Sequence, residues 1–189
     1  MRLLLVLCSM LAACTQTVAI ADPSLQQIPS GPEPQSLQWN ADAATMKQDL
    51  LLTARARLGE AMTRRALAAD AYILAKSYAG MRPPPPADAG PNWRYPDAPF
   101  TLLLHEHGRW LVATASGVRP ASTEATTEIR RLLSEPAFWR QPQAAGPGCT
   151  DAGASLLMIR YAGRRETILR GTCGETELTQ RLALLTHTA

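Results

Sequence analysis

The pattern that most directly suggests chemistry is the run His105-Glu106-His107. Side chains two positions apart on a β-strand point to the same face, so this spacing predicts two imidazoles on one strand face. Such a pair can hold a metal ion when a third ligand is supplied. His187 is the only other histidine, and we expect it to lie near a frayed C-terminus. The run is therefore more typical of a polar hairpin tip than of a metal centre.

A second candidate is Cys149-Thr150-Asp151, in which an acid follows a potential nucleophile. Threonine and aspartate are also common in turns. Cys149 is more simply explained as one half of a disulfide bond than as a nucleophile. Ser116-Gly117 lacks the G-x-S-x-G pattern of hydrolases, and the chain contains no P-loop, G-x-G-x-x-G or H-E-x-x-H motif. The sequence therefore predicts no catalytic residue, no metal site and no cofactor. The alternative is an enzyme whose site is scattered along the chain, with four candidate residues: His105, Glu106, His107 and Asp151.

The first residues form the pattern of an export signal. Arg2 supplies a positive charge, the run from Leu3 to Leu11 is apolar, and Ala12 and Ala13 provide a small-residue exit. The apolar run is too short to cross a bilayer, which takes about 20 apolar residues. The sequence therefore predicts a leader that is removed from the mature protein.

The end of this leader, Leu11-Ala12-Ala13-Cys14, resembles the lipobox of bacterial lipoproteins, in which a branched apolar residue and two small residues precede a cysteine. The resemblance covers residues 1–14. It implies that a signal peptide of residues 1–13 is cut off, that the Cys14 thiol receives a diacylglycerol, and that the new amino group is acylated, for example with palmitate. Thr15 stands where aspartate is the usual inner-membrane retention signal, so the resemblance implies an outer-membrane lipoprotein facing the periplasm. No family is indicated for the mature domain.

A second cleavage site competes with the lipobox. Ala19-Ile20-Ala21 before Asp22 fits the A-x-A pattern of ordinary signal peptidase, which would release a soluble periplasmic protein. The lipobox is favoured because the apolar run is already complete at Ala13. A cut after Ala21 would leave the polar stretch Thr15-Gln16-Thr17 inside an overlong leader.

The four cysteines then divide into three roles. Cys8 leaves with the leader and Cys14 carries lipid, so Cys149 and Cys173 remain in the mature domain. In an oxidising compartment, two remaining cysteines most simply form a disulfide bond. In the chain-entropy model such a bond stabilises the folded domain by about 3–4 kcal/mol. A redox or metal-binding pair is the alternative, but the chain has no C-x-x-C spacing and no histidine close to either cysteine.

Composition limits the class of partner. With 189 residues, 46% of them hydrophobic, and a net charge of +3, the chain is not a disordered, fibrous or dedicated nucleic-acid-binding protein. We expect it to contact the membrane through the lipid on Cys14 and to bind an envelope protein or a cell-wall component. The function that follows is a non-catalytic envelope lipoprotein that acts as a binding or assembly-support module.

Three segments precede the predicted domain. Residues 14–38 are rich in proline, glutamine and serine, which predicts a flexible tether after the lipidated cysteine. Residues 39–80 contain strong helix formers and no proline, which predicts one long helix, bent or split near Gly59. Residues 81–99 form a proline-rich loop.

Residues 100–189 predict an α+β domain built from two ββα units. We expect a four-stranded, mostly antiparallel sheet with helices on one face. The two units align when Gly108-Arg109 is placed on Gly163-Arg164, which raises the hypothesis of an internal duplication. Cys149 precedes the third strand and Cys173 follows the fourth, so a bond between them would clamp the second hairpin.

Overall fold

The structure is a computed structural model that describes residues 28–34, 41–78, 85–91, 97–140, 154–164, 166–171 and 177–189. The leader, Cys14, Asp151 and the Cys149–Cys173 pair lie outside these residues. None of the helices that the structure describes has the length and apolar character that a membrane span requires. The elements in chain order are α1 (Ala43–Leu58), α2 (Glu60–Ala68), β1 (Ala71–Tyr78), β2 (Phe100–Glu106), β3 (Arg109–Thr114), β4 (Gly117–Pro120), α3 (Thr123–Ser134), α4 (Pro136–Trp139), β5 (Ala154–Arg160), β6 (Thr167–Gly171) and α5 (Glu177–Thr188).

The predicted α+β class is confirmed, but the sheet is larger than expected. The described strands form one six-stranded antiparallel sheet in the order β4-β3-β2-β1-β5-β6. The prediction of four strands is wrong because β1 and β4 were not recognised. β4 begins at Gly117 and ends at Pro120, two residues that normally interrupt a strand but are tolerated at a sheet edge.

The prediction of one long helix over residues 39–80 is also wrong. α1 ends at Leu58 and is followed by Gly59, whose φ of 82° is unfavourable for other residues, and this split near Gly59 is the one anticipated. The chain beyond α2 then forms β1, a central strand in which every residue except Ser77 is buried. A strand covered on both faces reads as an unbroken apolar run, which periodicity alone does not distinguish from a buried helix.

Helices cover both faces of the sheet, which corrects the expectation of helices on one face. α1 and α2 pack with the even-numbered residues of β1, such as Tyr72 and Leu74, in one apolar layer. α3, α4 and α5 pack with the odd-numbered residues Ala71, Ile73 and Ala75 in the other. Because side chains alternate along a strand, β1 contributes to both layers at once.

The two predicted hairpins are confirmed, and their turns share one geometry. His107-Gly108 joins β2 to β3 with φ values of 49° and 77°, and Ala162-Gly163, within the connection from β5 to β6, has φ values of 50° and 69°. Two successive positive φ values are the requirement of a tight hairpin turn of type I′. The hairpins lie on either side of β1 rather than next to each other, so β1 separates the two predicted units. The duplication itself stays a hypothesis.

Residues 28–34, here called the N-terminal strap, belong to the predicted tether but are packed against α1. Ile28 is buried in the apolar layer of α1, and Arg55 donates to a strap carbonyl oxygen over 3.0 Å. Arg57 donates two hydrogen bonds to Glu33, over 3.0 and 2.6 Å. These contacts bring part of the predicted flexible tether, residues 14–38, against α1. Its charged and apolar side chains find partners on α1 that composition does not reveal.

The strap explains why α1 is buried around most of its circumference. A helix at the surface of a domain normally has one apolar stripe and one polar face. Here the sheet covers one side of α1 and the strap contacts another, so that seven residues are buried: Met46, Asp49, Leu50, Leu51, Leu52, Thr53 and Ala54.

Candidate functional site

The predicted histidine pair lies at the β2–β3 hairpin, but the two residues do not share a strand face. His105 is the last residue but one of β2, and its ring lies 5.3 Å from that of Trp110. His107 has left the strand, with a φ of 49° in the turn. The i, i+2 alternation that motivated the prediction therefore stops before His107.

Both histidines still line an open cleft of about 350 Å³ between the hairpin and α2, together with Arg65, Asp70 and Glu106. Glu106 is occupied there, because its carboxylate accepts hydrogen bonds of 3.0 and 2.7 Å from Arg65. These bonds lower the pKa of Glu106. Among the described residues, no group of three or more histidine, cysteine or acidic side chains is placed to hold a metal ion. The arrangement closes the hairpin onto α2 by an ion pair.

The predicted disulfide cannot be placed, since Cys149 and Cys173 are outside the described residues. The strands that they flank are neighbours, and Ser155 near the start of β5 pairs with Gly171 at the end of β6. In the sequence, Cys149 precedes β5 and Cys173 follows β6, and the bond between them stays a prediction.

A buried ion network that the sequence analysis missed lies between α1 and β1. Lys76 is fully buried, and its ammonium donates three hydrogen bonds, to Asp49 over 2.9 Å, to Thr53 over 2.8 Å and to the carbonyl oxygen of Pro34 over 2.8 Å. An ammonium group has three donors, so all of them are used. Charged groups are seldom buried in full unless they are paired. The network therefore holds α1, β1 and the strap together.

Tyr78 completes this network on the same face of β1. Its hydroxyl donates to the second carboxylate oxygen of Asp49, and the ammonium of Lys76 lies 4.6 Å from its ring centre. Burial, together with the hydrogen bond to Asp49, raises the pKa of Tyr78 well above its usual value. The phenol is therefore a hydrogen-bond donor at every physiological pH, which is a structural role.

A second polar cluster lies on the opposite face of the sheet, around His187. Its Nε2 is 3.0 Å from the Ser77 hydroxyl on β1, and its Nδ1 is 2.9 Å from the Thr101 hydroxyl on β2. The Ser77 hydroxyl is in turn 3.3 Å from that of Ser155 on β5. We name Ser77, Thr101, Ser155 and His187 the hydroxyl–imidazole cluster. The expectation that His187 lies in a frayed terminus is wrong, because both ring nitrogens are held against the sheet.

Burial disfavours the charged form of the imidazole in this cluster. Burial lowers the pKa of His187 from its usual 6.5, because the charged ring loses hydration. A neutral imidazole has one nitrogen that donates and one that accepts. If Nδ1 carries the proton and donates it to Thr101, then Nε2 is free to accept the proton of the Ser77 hydroxyl. This arrangement of hydroxyl, base and orienting group is capable of proton transfer.

Trp110 is a core residue, 2% exposed, but its indole Nε1 has no hydrogen-bond partner among the described residues. Its ring lies between those of His105 and Tyr161, with centres 5.3 and 6.4 Å away. Trp139 is half-buried and donates to the carbonyl oxygen of Leu133 over 2.7 Å.

Comparison of the chain with protein-family models, with curated proteins and with solved structures gave no match in any of the three.

Proposed function

We propose that this chain is a bacterial envelope lipoprotein, anchored to the outer membrane through Cys14, whose domain faces the periplasm as a binding or assembly-support module. The observation that carries the proposal is the sequence Leu11-Ala12-Ala13-Cys14, which ends an apolar run that begins just after the positively charged Arg2. An anchor with two or three acyl chains is stable, because each buried methylene contributes about 0.8 kcal/mol.

If Cys14 carries the lipid, the strap limits the distance between the lipid and the domain. Thirteen residues, 15–27, separate Cys14 from Ile28. A chain of that length spans at most about 47 Å even when fully extended. Since the strap is bonded to α1, an anchor at Cys14 would keep the domain within this distance of the membrane surface.

The experiment that tests the anchor compares two cysteine variants expressed in a Gram-negative host. Cys14→Ala removes the acceptor of the lipid, whereas Cys8→Ala, the matched control, changes a cysteine within the leader. We expect the wild type and Cys8→Ala to be labelled by alkyne-palmitate and to fractionate with membranes, and Cys14→Ala to lose both properties. A mature N-terminus at Asp22 in the wild-type mass spectrum would replace the proposal with the soluble periplasmic alternative.

The membrane in which the anchor resides is tested at Thr15. Thr15→Asp should move the protein from the outer-membrane to the inner-membrane fraction of a density gradient, whereas Thr15→Ser should leave it in place. An outer-membrane position that survives Thr15→Asp would contradict the sorting part of the proposal.

The partner class is tested with isolated peptidoglycan. Sedimentation of the purified chain with cell-wall sacculi would indicate a cell-wall component, and failure to sediment would contradict that class of partner.

One observation favours a second function, that of an envelope enzyme. The hydroxyl–imidazole cluster joins Ser77, His187 and Thr101 by contacts of 3.0 and 2.9 Å, although these residues are far apart in the sequence. This is the kind of scattered site that the sequence alternative required, but it uses none of the four residues suggested there.

A further inference from the structure

We propose that Ser77 is a nucleophile activated by His187, and that the hydroxyl–imidazole cluster is an acyl-transfer site for oxygen esters. This inference develops the second candidate function and does not depend on the anchor at Cys14. Its basis is geometric, because a serine hydroxyl, an imidazole nitrogen and a third group on the other ring nitrogen are in sequential hydrogen-bond contact.

The three groups are supplied by separate elements that the fold holds in fixed register. Ser77 is on the central strand β1, where its backbone N–H donates to the carbonyl oxygen of Pro99 over 2.9 Å. Thr101 is on the adjacent strand β2, and His187 is near the end of α5, which packs on both strands. A site whose members are fixed by strands and a helix keeps its geometry better than one built on loops.

Ser77 is also partly exposed to solvent. Ser77 is the one residue of β1 that is not fully buried, and Ser155, next to it on β5, is likewise partly exposed. Because β1 ends at Tyr78 and β5 starts at Ala154, this hydroxyl lies at the end of the sheet rather than in its centre.

His187 serves as the base because its Nε2 is 3.0 Å from the Ser77 hydroxyl and has a lone pair when Thr101 accepts the Nδ1 proton; burial, which lowers its pKa, favours this neutral ring. As the Ser77 oxygen bonds to the carbonyl carbon of an ester, its proton passes to Nε2. The imidazolium then gives this proton to the leaving alcohol as the carbon–oxygen bond of the ester breaks. Water attacks the acyl-serine with the same imidazole as base, and the products are a carboxylic acid and the free enzyme.

The third group decides the substrate class. Thr101 is a neutral hydroxyl, so it fixes the tautomer of His187 but does not offset the positive charge that the ring acquires. Esters are attacked more readily than amides and their alkoxide leaving groups need less help from a proton. We therefore assign the site to oxygen esters, with turnover slower than that of an Asp-supported triad.

The test uses covalent capture, which does not require fast turnover. The full-length chain in detergent is treated with an alkyl fluorophosphonate, which forms a bond between phosphorus and the serine oxygen and releases fluoride. Peptide mapping should locate one adduct at Ser77, and p-nitrophenyl acetate should release a burst of one p-nitrophenol per chain. An adduct-free Ser77 peptide in the wild-type chain would overturn the proposal, whatever the variants do.

Variants separate a catalytic cluster from a merely structural one. His187→Gln retains a hydrogen-bonding side chain but loses the base, so we expect the labelling rate to fall at least about 100-fold. Ser77→Ala should abolish labelling, and Ser116→Ala, which changes an exposed serine, should leave it unchanged. The wild-type rate should also rise with pH as His187 loses its proton, and this dependence should disappear in His187→Gln. An equal rate in the wild type and in His187→Gln would refute the role of His187.

Discussion

Replacement of Lys76 with methionine tests whether the buried ion network holds the strap and β1 to α1. Methionine keeps the apolar stem of lysine but removes the ammonium group. Asp49, whose side chain is 6% exposed, is then left without its cation. Thr53 and the Pro34 carbonyl lose their donor. Removal of one partner from a buried ion pair costs about 3–5 kcal/mol, a large share of the roughly 5–15 kcal/mol by which domains are stable.

The free energy of unfolding is measured by urea titration followed by tryptophan fluorescence. Lys47→Met is the matched control, because Lys47 pairs with Glu166 but its side chain is 29% exposed. The same substitution there should cost less than about 1 kcal/mol. In the double variant Lys76→Met/Asp49→Leu, the loss should be smaller than the sum of the single losses, since the second change removes the stranded charge.

Equal, small losses in Lys76→Met and Lys47→Met would refute this reasoning. They would mean that Asp49 finds another cation or water when Lys76 is absent. The strap provides an independent check, because Lys76→Met removes its bond to Pro34. Limited proteolysis should therefore cut residues 28–34 faster in Lys76→Met than in the control.

Three further predictions concern a backbone angle, a titration and a covalent bond. Gly59→Ala should cost about 1–3 kcal/mol in thermal or urea unfolding because φ is 82° there, whereas Gly90→Ala, which meets open space, should cost little. Because the folded-state pKa of His187 lies below its ordinary 6.5, the unfolded chain binds more protons as the pH falls. The contribution of His187 to the free energy of unfolding is complete above pH 6.5. Below pH 6.5 the free energy of unfolding should decline by at most about 1.4 kcal/mol per pH unit, and His187→Gln should lack this slope. Thiol labelling under denaturing, non-reducing conditions should find Cys149 and Cys173 unreactive; labelling of both would disprove the bond.

The local elements of the second half of the chain were predictable because their signals are local. Ser122 caps α3 by accepting a hydrogen bond from the Ala125 N–H over 3.2 Å, and positive-φ residues close both hairpins. β1 was not predictable, since Ala71–Tyr78 reads as the continuation of an alanine-rich helix. Only pairing with β2 and β5, which come later in the chain, makes it a strand.

The polar clusters were hidden for the same reason. Lys76 and Asp49 are 27 positions apart, and Ser77 and His187 are 110 positions apart, so no motif of fixed spacing connects them. A lysine in an apolar run gave one usable signal, because an unpaired buried ammonium is too costly to persist. The histidine run drew attention instead because its members are adjacent in sequence, and the turn at His107 removed the alternation on which that interpretation depended.

The C-terminal end of β1 is the point at which these observations meet. Because side chains alternate along a strand, Lys76 and Tyr78 face α1 and the strap, while Ser77 between them faces α5. The ion network thus fixes the backbone on both sides of the proposed nucleophile without entering its site. Rigid support from residues that do not touch the substrate is what an acyl-transfer geometry requires. The same network bonds the strap, so an anchor at Cys14 would hold this end of the sheet near the chain segment that leads to the membrane.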